Sequence, residues 1–355
     1  MKKLLLLILL VVPIKCMAIS ARSAIAMDLD NDIIYYSKNI NEEKLIASTT
    51  KILTAIVAIE CGDIDKVVTV DEEVLKSVGS AIYIGVGEKI SLRDLLYGLL
   101  LRSGNDAALV IAKSVAGSME NFALLMNEMA VKIGMENSYF YNASGLDETE
   151  EHNISTAYDM ALLTRYAMQN KTFREIFKTK EYSVKTNMKS YKWVNKNKLL
   201  HSEDYITGGK TGYTKKAHRT LVTTGSRNNI NVVVVTLDDG NDFSDHKSLY
   251  EDIFKNYEAV KVLDKNNIKV KDDVIYKKDK LYINEDVYVS TKKKDKIKVE
   301  YELYDNKKYR NDDEVGHVNI YLNDKLVRTE RVFVKVEETV KNESFWDKVK
   351  RWFSW

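Results

Sequence analysis

The chain has 355 residues, 45% of them hydrophobic and 30% charged. That length can bury a substantial core and suits about two domains, and the composition excludes a disordered chain. A formal net charge of +2 excludes the basic excess expected of a nucleic-acid-binding protein.

Lys2 and Lys3 precede an apolar stretch, residues 4–12, that is too short to cross a bilayer as a helix. Small residues come next, and cleavage is expected after Ala18 or Ser20. Residues 1–20 therefore read as a signal peptide, and the rest of the chain as exported. Lys15 beside Cys16 fits a lipid-acceptor site poorly. Removal of this segment takes Cys16 with it, so Cys61 has no internal disulfide partner. Placed after an apolar helix, Cys61 is expected to be a buried thiol.

Residues 24–28 and 33–36 read as a strand pair around Asp30-Asn31-Asp32. The apolar run 52–59 reads as a buried helix ending near Cys61-Gly62-Asp63. Ser48 is expected in its first turn, as an N-cap, with Lys51 returning to the same face three residues on. A hydroxyl, an amine and the positive end of a helix then converge. Residues 64–91 are short and mixed, with turns at Gly79, Gly85 and Gly87.

Helices are expected over residues 92–101, 107–116, about 119–133 and 156–169. Ser103 and Asn105 fall in the tight connection between the first two. Residues 142–147 read as a loop and 181–200 as extended. Gly208 to Gly212 lead toward two strands, 219–224 and 231–237, and the apolar run Val232 to Val235 suits a central strand. A closing helix is expected over 246–257.

Composition changes near Val260. Residues 261–338 are rich in lysine and aspartate and carry short alternating strands, with Asn323-Asp324 as a hairpin turn. They read as a small antiparallel β domain. In the last stretch, Phe345, Trp346, Val349, Trp352 and Phe353 share one helical face beside Lys348, Lys350 and Arg351. Such a helix suits a membrane interface.

Three motifs stand in order: Ser48-x-x-Lys51, Ser103-Gly104-Asn105 and Lys210-Thr211-Gly212. Singly the first two are weak. Ser-x-x-Lys recurs at Ser244 and Ser290, and Ser-x-Asn at Ser226, whereas Lys-Thr-Gly occurs once. Together, with Ala47 to Lys51, Tyr97 to Leu101, Ser103 to Ala108 and Gly209 to Thr214, they resemble the D-alanyl-D-alanine carboxypeptidases. These are the low-molecular-mass penicillin-binding proteins, the S11 serine peptidases. Ser155 to Met160 and Asn197 to Leu200 are similar to that family too. The resemblance covers about residues 22–258, and within the family it leans toward the sporulation-associated subset.

The resemblance implies an α/β fold of the penicillin-binding-protein/β-lactamase type. An antiparallel sheet with flanking helices joins an all-helical part, followed by a small all-β domain and an amphipathic helix. The expected units are a signal peptide at 1–20, a DD-peptidase domain at 21–260, a β-rich domain at 261–338 and a membrane-associating helix at 339–355.

The chemistry asks for an activated hydroxyl. Ser48 is the expected nucleophile and Lys51 its base, provided that burial and the charge of Lys210 keep Lys51 neutral. Ser103 is expected to relay the proton to the leaving amine. Asn105 offers an amide to the substrate backbone. Lys210 and Thr211, with Thr214, are expected to bind the terminal carboxylate. Gly212 lets substrate lie along a strand edge. By the resemblance, the backbone N–H groups of Ser48 and Tyr213 form the oxyanion hole.

The resemblance further implies a peptidoglycan stem pentapeptide as substrate, β-lactams as covalent inhibitors, and a place at the outer face of the cytoplasmic membrane. No cofactor, metal or nucleic acid is expected. His152, His201, His218 and His246 lack metal-ligand spacing and read as surface or locally hydrogen-bonded residues. By the resemblance, His246 stands where many relatives carry a carboxylate-binding arginine, and His218 where they often carry glycine. A β-lactamase-like hydrolase and a non-catalytic wall-binding scaffold are the alternatives. The class A Glu-x-x-Leu-Asn loop is absent from the sequence.

Overall fold

The computed structural model describes residues 19–147, 150–270, 275–276, 279–305 and 308–336. The signal segment up to residue 18 and the expected tail helix at 339–355 lie outside the described residues.

A five-stranded antiparallel sheet forms the centre, in the order Ile34–Lys38, Ser23–Asp28, Ile230–Leu237, His218–Arg227, Ile206–Thr214. The N-terminal hairpin thus completes a sheet begun far along the chain, with Ser23 opposite Leu237 and Asp28 opposite Val232. Side chains alternate between the two faces of a strand. Ile25, Met27, Val233 and Val235 join a large helical core. Ala24, Ala26, Val232 and Val234 join a smaller one with Leu249, Tyr250 and Ile253 of the closing helix Asp242–Asn256. Both faces are covered, which is why Val232 to Val235 reads as one apolar run.

The large core is built on α1 (Lys51–Cys61), buried without interruption from Lys51 to Ala58. A helix apolar on all sides must be surrounded. Here α2 (Leu92–Arg102), α3 (Asn105–Ala116) and α4 (Met119–Ile133) pack around it. Serines start two of them: Ser91 Oγ accepts from Asp94 N at 3.0 Å and Ser118 Oγ from Asn121 N at 3.1 Å. Between α2 and α3 the chain reverses at Ser103, whose φ of +64° is left-handed. A non-glycine residue held there is uncommon and draws attention to function.

Three sequence expectations change. Residues 206–214, read as a glycine-marked approach to strands, are themselves a strand, and the edge of the sheet. Their glycines mark close approach rather than turning. A Cβ at Gly208 would lie 2.2 Å from the Phe177 ring, and one at Gly212 only 2.3 Å from Thr220 Oγ1. The closing helix begins at Asp242 instead of His246. Cys61, expected to be buried, is exposed at the end of α1.

Beyond residue 257, Lys280–Tyr282, Lys325–Lys335, Glu314–Leu322 and Ile297–Leu303 form a four-stranded sheet in that order, and Glu258–Leu263 pairs with Val287–Thr291. Asn323 and Asp324 both take positive φ, 50° and 65°, as a two-residue hairpin turn of this twist requires. The core of this unit includes Ile33, which comes from the N-terminal hairpin. Buried Asp28 accepts from Tyr35 Oη at 2.5 Å and from Ser290 Oγ at 3.1 Å, while Asn31 Nδ2 donates to the Tyr288 carbonyl at 3.1 Å. The hairpin therefore belongs to both packed units.

Candidate active site

Ala47–Thr50 form a single tight turn that leads directly into α1. Ser48 is not the helix N-cap: Thr50 occupies that position, without a side-chain cap. The turn's own threonine is spent locally, Thr49 Oγ1 donating to the Ile46 carbonyl at 2.6 Å. The Ser48 hydroxyl is left facing Lys51 Nζ at 3.1 Å.

Lys51 is fully buried. Its Nζ donates to Asn105 Oδ1 at 2.8 Å and to the Ser144 carbonyl at 2.5 Å. Burial brings its pKa down to about 7, helped by the positive charge of Lys196 and opposed by Asp106. A neutral amine has two N–H donors and one lone pair. Asn105 Oδ1 and the Ser144 carbonyl can only accept, so they take both hydrogens. The lone pair is left for the third neighbour, the Ser48 hydroxyl.

Lys210 is also buried, with Nζ donating to the Thr211 carbonyl at 2.6 Å. Its pKa lies well below the ordinary lysine value through burial, then through the charges of Lys51 and Lys196. The repulsion expected between Lys51 and Lys210 is present, since the Lys51 charge lowers the Lys210 pKa, and Lys196 adds a further positive charge that acts on Lys51. Lys210 is itself driven toward the neutral form, whereas Lys196 remains exposed at the cavity wall. An arriving carboxylate would restore the charge on Lys210.

A cavity of about 350 Å³ opens over Ser48, with Ser103, Thr211, Gly212 and Tyr213 in its lining. Lys51, Lys210 and Asn105 lie behind those walls. The Cβ position at Gly212 is 3.0 Å from Ser48 N, so the edge strand runs against the amide of Ser48. Ser103 is buried at the rim, with no hydrogen bond from its hydroxyl to either lysine among the described residues.

Two expected roles do not match this geometry. The Asn105 amide is engaged on both sides, its Nδ2 donating to the Val78 carbonyl at 2.7 Å, so it holds Lys51 rather than standing open to a substrate backbone. Thr214 turns away: Oγ1 donates to Asp147 Oδ2 at 2.6 Å and accepts from Ala217 N at 2.9 Å, which fixes the hairpin end.

This arrangement can be set beside known proteins. The family model for D-alanyl-D-alanine carboxypeptidase, peptidase S11, matches residues 11–241, more than half of the chain. The chain belongs to the S11 D-alanyl-D-alanine carboxypeptidase family. A second model, the C-terminal domain of penicillin-binding protein 5, matches residues 257–342. Among curated relatives, D-alanyl-D-alanine carboxypeptidase DacF of Bacillus subtilis is 33% identical over 225 residues, covering 62% of this chain and 57% of DacF. The match thus spans little more than half of that relative's length. Among solved structures, a mutant of Streptomyces K15 DD-transpeptidase is 30% identical with a TM-score of 0.63, over 66% of this chain and 97% of that one. Penicillin-binding protein 5 of Haemophilus influenzae, 24% identical, gives a TM-score of 0.71 over 91% of this chain and 99% of that one. The last likeness extends the shared fold through the C-terminal β unit.

Within this S11 framework, four groups at the site escaped sequence reading. Ser144 contributes through its carbonyl, which no side-chain motif announces. Lys196 and Arg219 both line the Ser48 cavity. Arg219 was legible by register, since it sits opposite Tyr213. Its side chain is 55% exposed, with the guanidinium 3.9 Å from the Asp242 carboxylate, a long and loosely held pair. The Asp106 carboxylate accepts from the backbone N–H groups of Ile82 and Tyr83 at 3.0 and 2.7 Å, pinning the loop that covers Asn105. The signal was an acid in the first turn of α3.

The two histidine departures now have local explanations. His218 takes φ of +58°, a conformation that glycine adopts freely, and its Nδ1 pairs with Asp238 at 2.7 Å. His246 is wholly buried, with Nδ1 2.8 Å from Thr223 Oγ1 and Nε2 3.1 Å from Thr236 Oγ1, and it does not line the cavity over Ser48. Burial pushes its pKa from 6.5 down to about 3. The folded state therefore takes up this proton later than the unfolded chain. The stabilising contribution is complete above pH 6.5 and is lost as the pH falls toward 3, on the order of 5 kcal/mol in all. Thermal unfolding of wild type and His246→Gln between pH 7 and 4 is expected to show a shallower decline for the variant; parallel curves would place the acid sensitivity elsewhere.

Proposed function

We propose that the chain is a serine D-Ala-D-Ala carboxypeptidase that removes the terminal D-alanine from peptidoglycan stem peptides. The observation that carries this reading is the Lys51 amine. With both hydrogens committed to Asn105 and Ser144 and its pKa near 7, it presents a lone pair to the Ser48 hydroxyl.

Lys51 takes the Ser48 proton as Oγ bonds to the carbonyl carbon of the scissile amide. The developing oxyanion lies between the N–H groups of Ser48 and Tyr213. Collapse breaks the C–N bond, and the proton passes through Ser103 to the departing D-alanine amine, leaving an acyl ester on Ser48. Water then adds to the ester carbon, gives its proton back through the same groups, and releases the shortened peptide. Lys210, Thr211 and Arg219 receive the terminal carboxylate, with Arg219 taking the part assigned from sequence to Thr214. The open edge strand offers main-chain hydrogen bonds to an extended peptide.

A β-lactamase needs rapid hydrolysis of the acyl ester. Among the described residues no carboxylate touches Lys51, and Asp147, in the neighbouring loop, is committed to Thr214. Penicillin should therefore remain on Ser48 as a long-lived ester. A transpeptidase or endopeptidase would use the same acyl ester with a different acceptor or a longer substrate, and the name of the Streptomyces K15 neighbour is of the former kind.

The protein would act on the wall side of the cytoplasmic membrane. The signal segment would direct export, and the helix at 339–355 would hold it to the membrane surface. By motif the chain leans toward the sporulation-associated subset. Incubation with a stem pentapeptide ending in D-Ala-D-Ala, followed by mass analysis, is expected to show loss of one alanine. An unchanged pentapeptide would favour the non-catalytic scaffold; a dimerised product would favour transpeptidation.

A further inference from the structure

A further cavity, about 410 Å³, opens at the opposite end of the Ile206–Thr214 strand from the Ser48 cavity. Thr207 lines it, whereas Thr211, Gly212 and Tyr213 line the cavity over Ser48. No residue is common to the two walls, so this space is separate from the catalytic site. Two helices, Ala157–Ala167 and Lys171–Phe177, meet the strand ends here. The Phe177 ring packs on Gly208 and seats the second helix against the edge strand.

Three cations line the cavity: Arg165, Arg174 and Lys178. Arg174 and Lys178 stand one helical turn apart, on the same side. The Arg174 guanidinium is fixed from behind, its Nη1 donating to the Met168 and Gln169 carbonyls at 2.6 and 3.0 Å. Those carbonyls follow the end of the first helix, where backbone acceptors are left open. Nε and Nη2 keep their N–H groups without a partner among the described residues. The nearby acids are already engaged. Asp30 Oδ2 accepts from Asn231 Nδ2 at 2.6 Å, and Asp32 is shared by Arg165 at 3.8 Å and Lys325 at 3.2 Å. With Lys325 added to the three lining cations, four positive groups face these two carboxylates. The Ser226 hydroxyl and the Gln169 amide complete the polar lining, and Leu29 and Met168 give it an apolar part.

We propose that this cavity binds a terminal phosphate group, free or carried on a small polyol. Such a group brings close to two negative charges and three strong acceptor oxygens. The donors reach the space from the helices on one side and from the sheet on the other, which suits a tetrahedral anion better than a planar carboxylate. The volume equals about thirteen waters at roughly 30 Å³ each, so a polyol body fits beside the phosphate, against Leu29 and Met168. The site does not depend on the carboxypeptidase reading.

The test follows the amide NMR shifts of the purified protein as inorganic phosphate, glycerol 3-phosphate, glycerol or acetate is added. Both phosphates are expected to shift the amides of Gln169, Ser226 and Asn231 saturably, and glycerol to leave them in place. Acetate, with one charge and two oxygens, is expected to bind at least about threefold more weakly. Tighter binding of glycerol 3-phosphate than of phosphate would identify an ester as the ligand, and equal binding would identify the free ion. Lys178→Gln should weaken phosphate binding about three- to tenfold, and Arg174→Gln about tenfold or more. Lys178 is exposed, so its variant should keep the wild-type melting temperature and the wild-type rate of acylation by benzylpenicillin. Absence of saturable shifts with either phosphate would overturn the site. So would acetate binding as tightly as phosphate, or a folded Lys178→Gln protein with wild-type affinity.

Discussion

Ser48→Ala is expected to lower D-alanine release from a stem pentapeptide by at least about a thousandfold and to abolish labelling by a fluorescent penicillin. The size reflects the route. Without Oγ no acyl ester forms, and only direct attack by water at the oxyanion site remains. The substitution removes one oxygen from a half-buried position whose one side-chain hydrogen bond among the described residues is to Lys51. The tight turn is held by backbone bonds and by Thr49, so the variant should fold with a wild-type melting curve. A folded Ser48→Ala protein that still took up penicillin would show that another residue is the nucleophile.

Lys51→Met should be nearly as severe, with acylation slowed by about 10²–10⁴-fold. Methionine keeps the volume and the apolar surroundings but removes the lone pair. The wild-type pH profile supplies the independent reading. The Lys51 pKa lies near 7, so the amine is largely protonated below that pH and neutral above it. The second-order rate of penicillin acylation should rise about tenfold per unit below pH 7 and level off above it. That limb should vanish in Lys51→Met, whose residual rate carries no Lys51 titration. A wild-type profile flat from pH 5 to 9 would mean that Lys51 is not the base.

Much of this site was legible because its parts are side chains at fixed spacing. Ser48 and Lys51 lie one helical turn apart, and the three-motif order survives in the fold as one cluster. What sequence obscured was carried by the backbone or by distance. The Ser144 carbonyl has no side-chain signature. Lys196 matters through its charge, from a segment read only as extended. The Ile206–Thr214 strand was hidden because its glycines resemble turn residues, and only the positions of Phe177 and Thr220 show why no Cβ fits. Ser48 looked like an N-cap because serine at a helix start usually is one. Here a tight turn precedes the helix and leaves the hydroxyl free. Among long elements the patterns held well: α4 and the Val232 to Val235 strand stand where apolar periodicity put them. The missed helix Lys171–Phe177 is too short for periodicity to declare.

The hairpin between Ser23–Asp28 and Ile34–Lys38 bears on modularity. It supplies two strands to one unit, yet Ile33 is buried in the other unit and Asp28 is sealed by Ser290. Excising everything after Asn256 would not yield a tidy catalytic fragment. It would strand an apolar side chain in water and open a buried carboxylate at the hairpin that forms one edge of the sheet. The two units are joined in sequence by a short connection, but they are joined in space by a shared piece of chain, so removing one of them uncovers groups that it buries on the other.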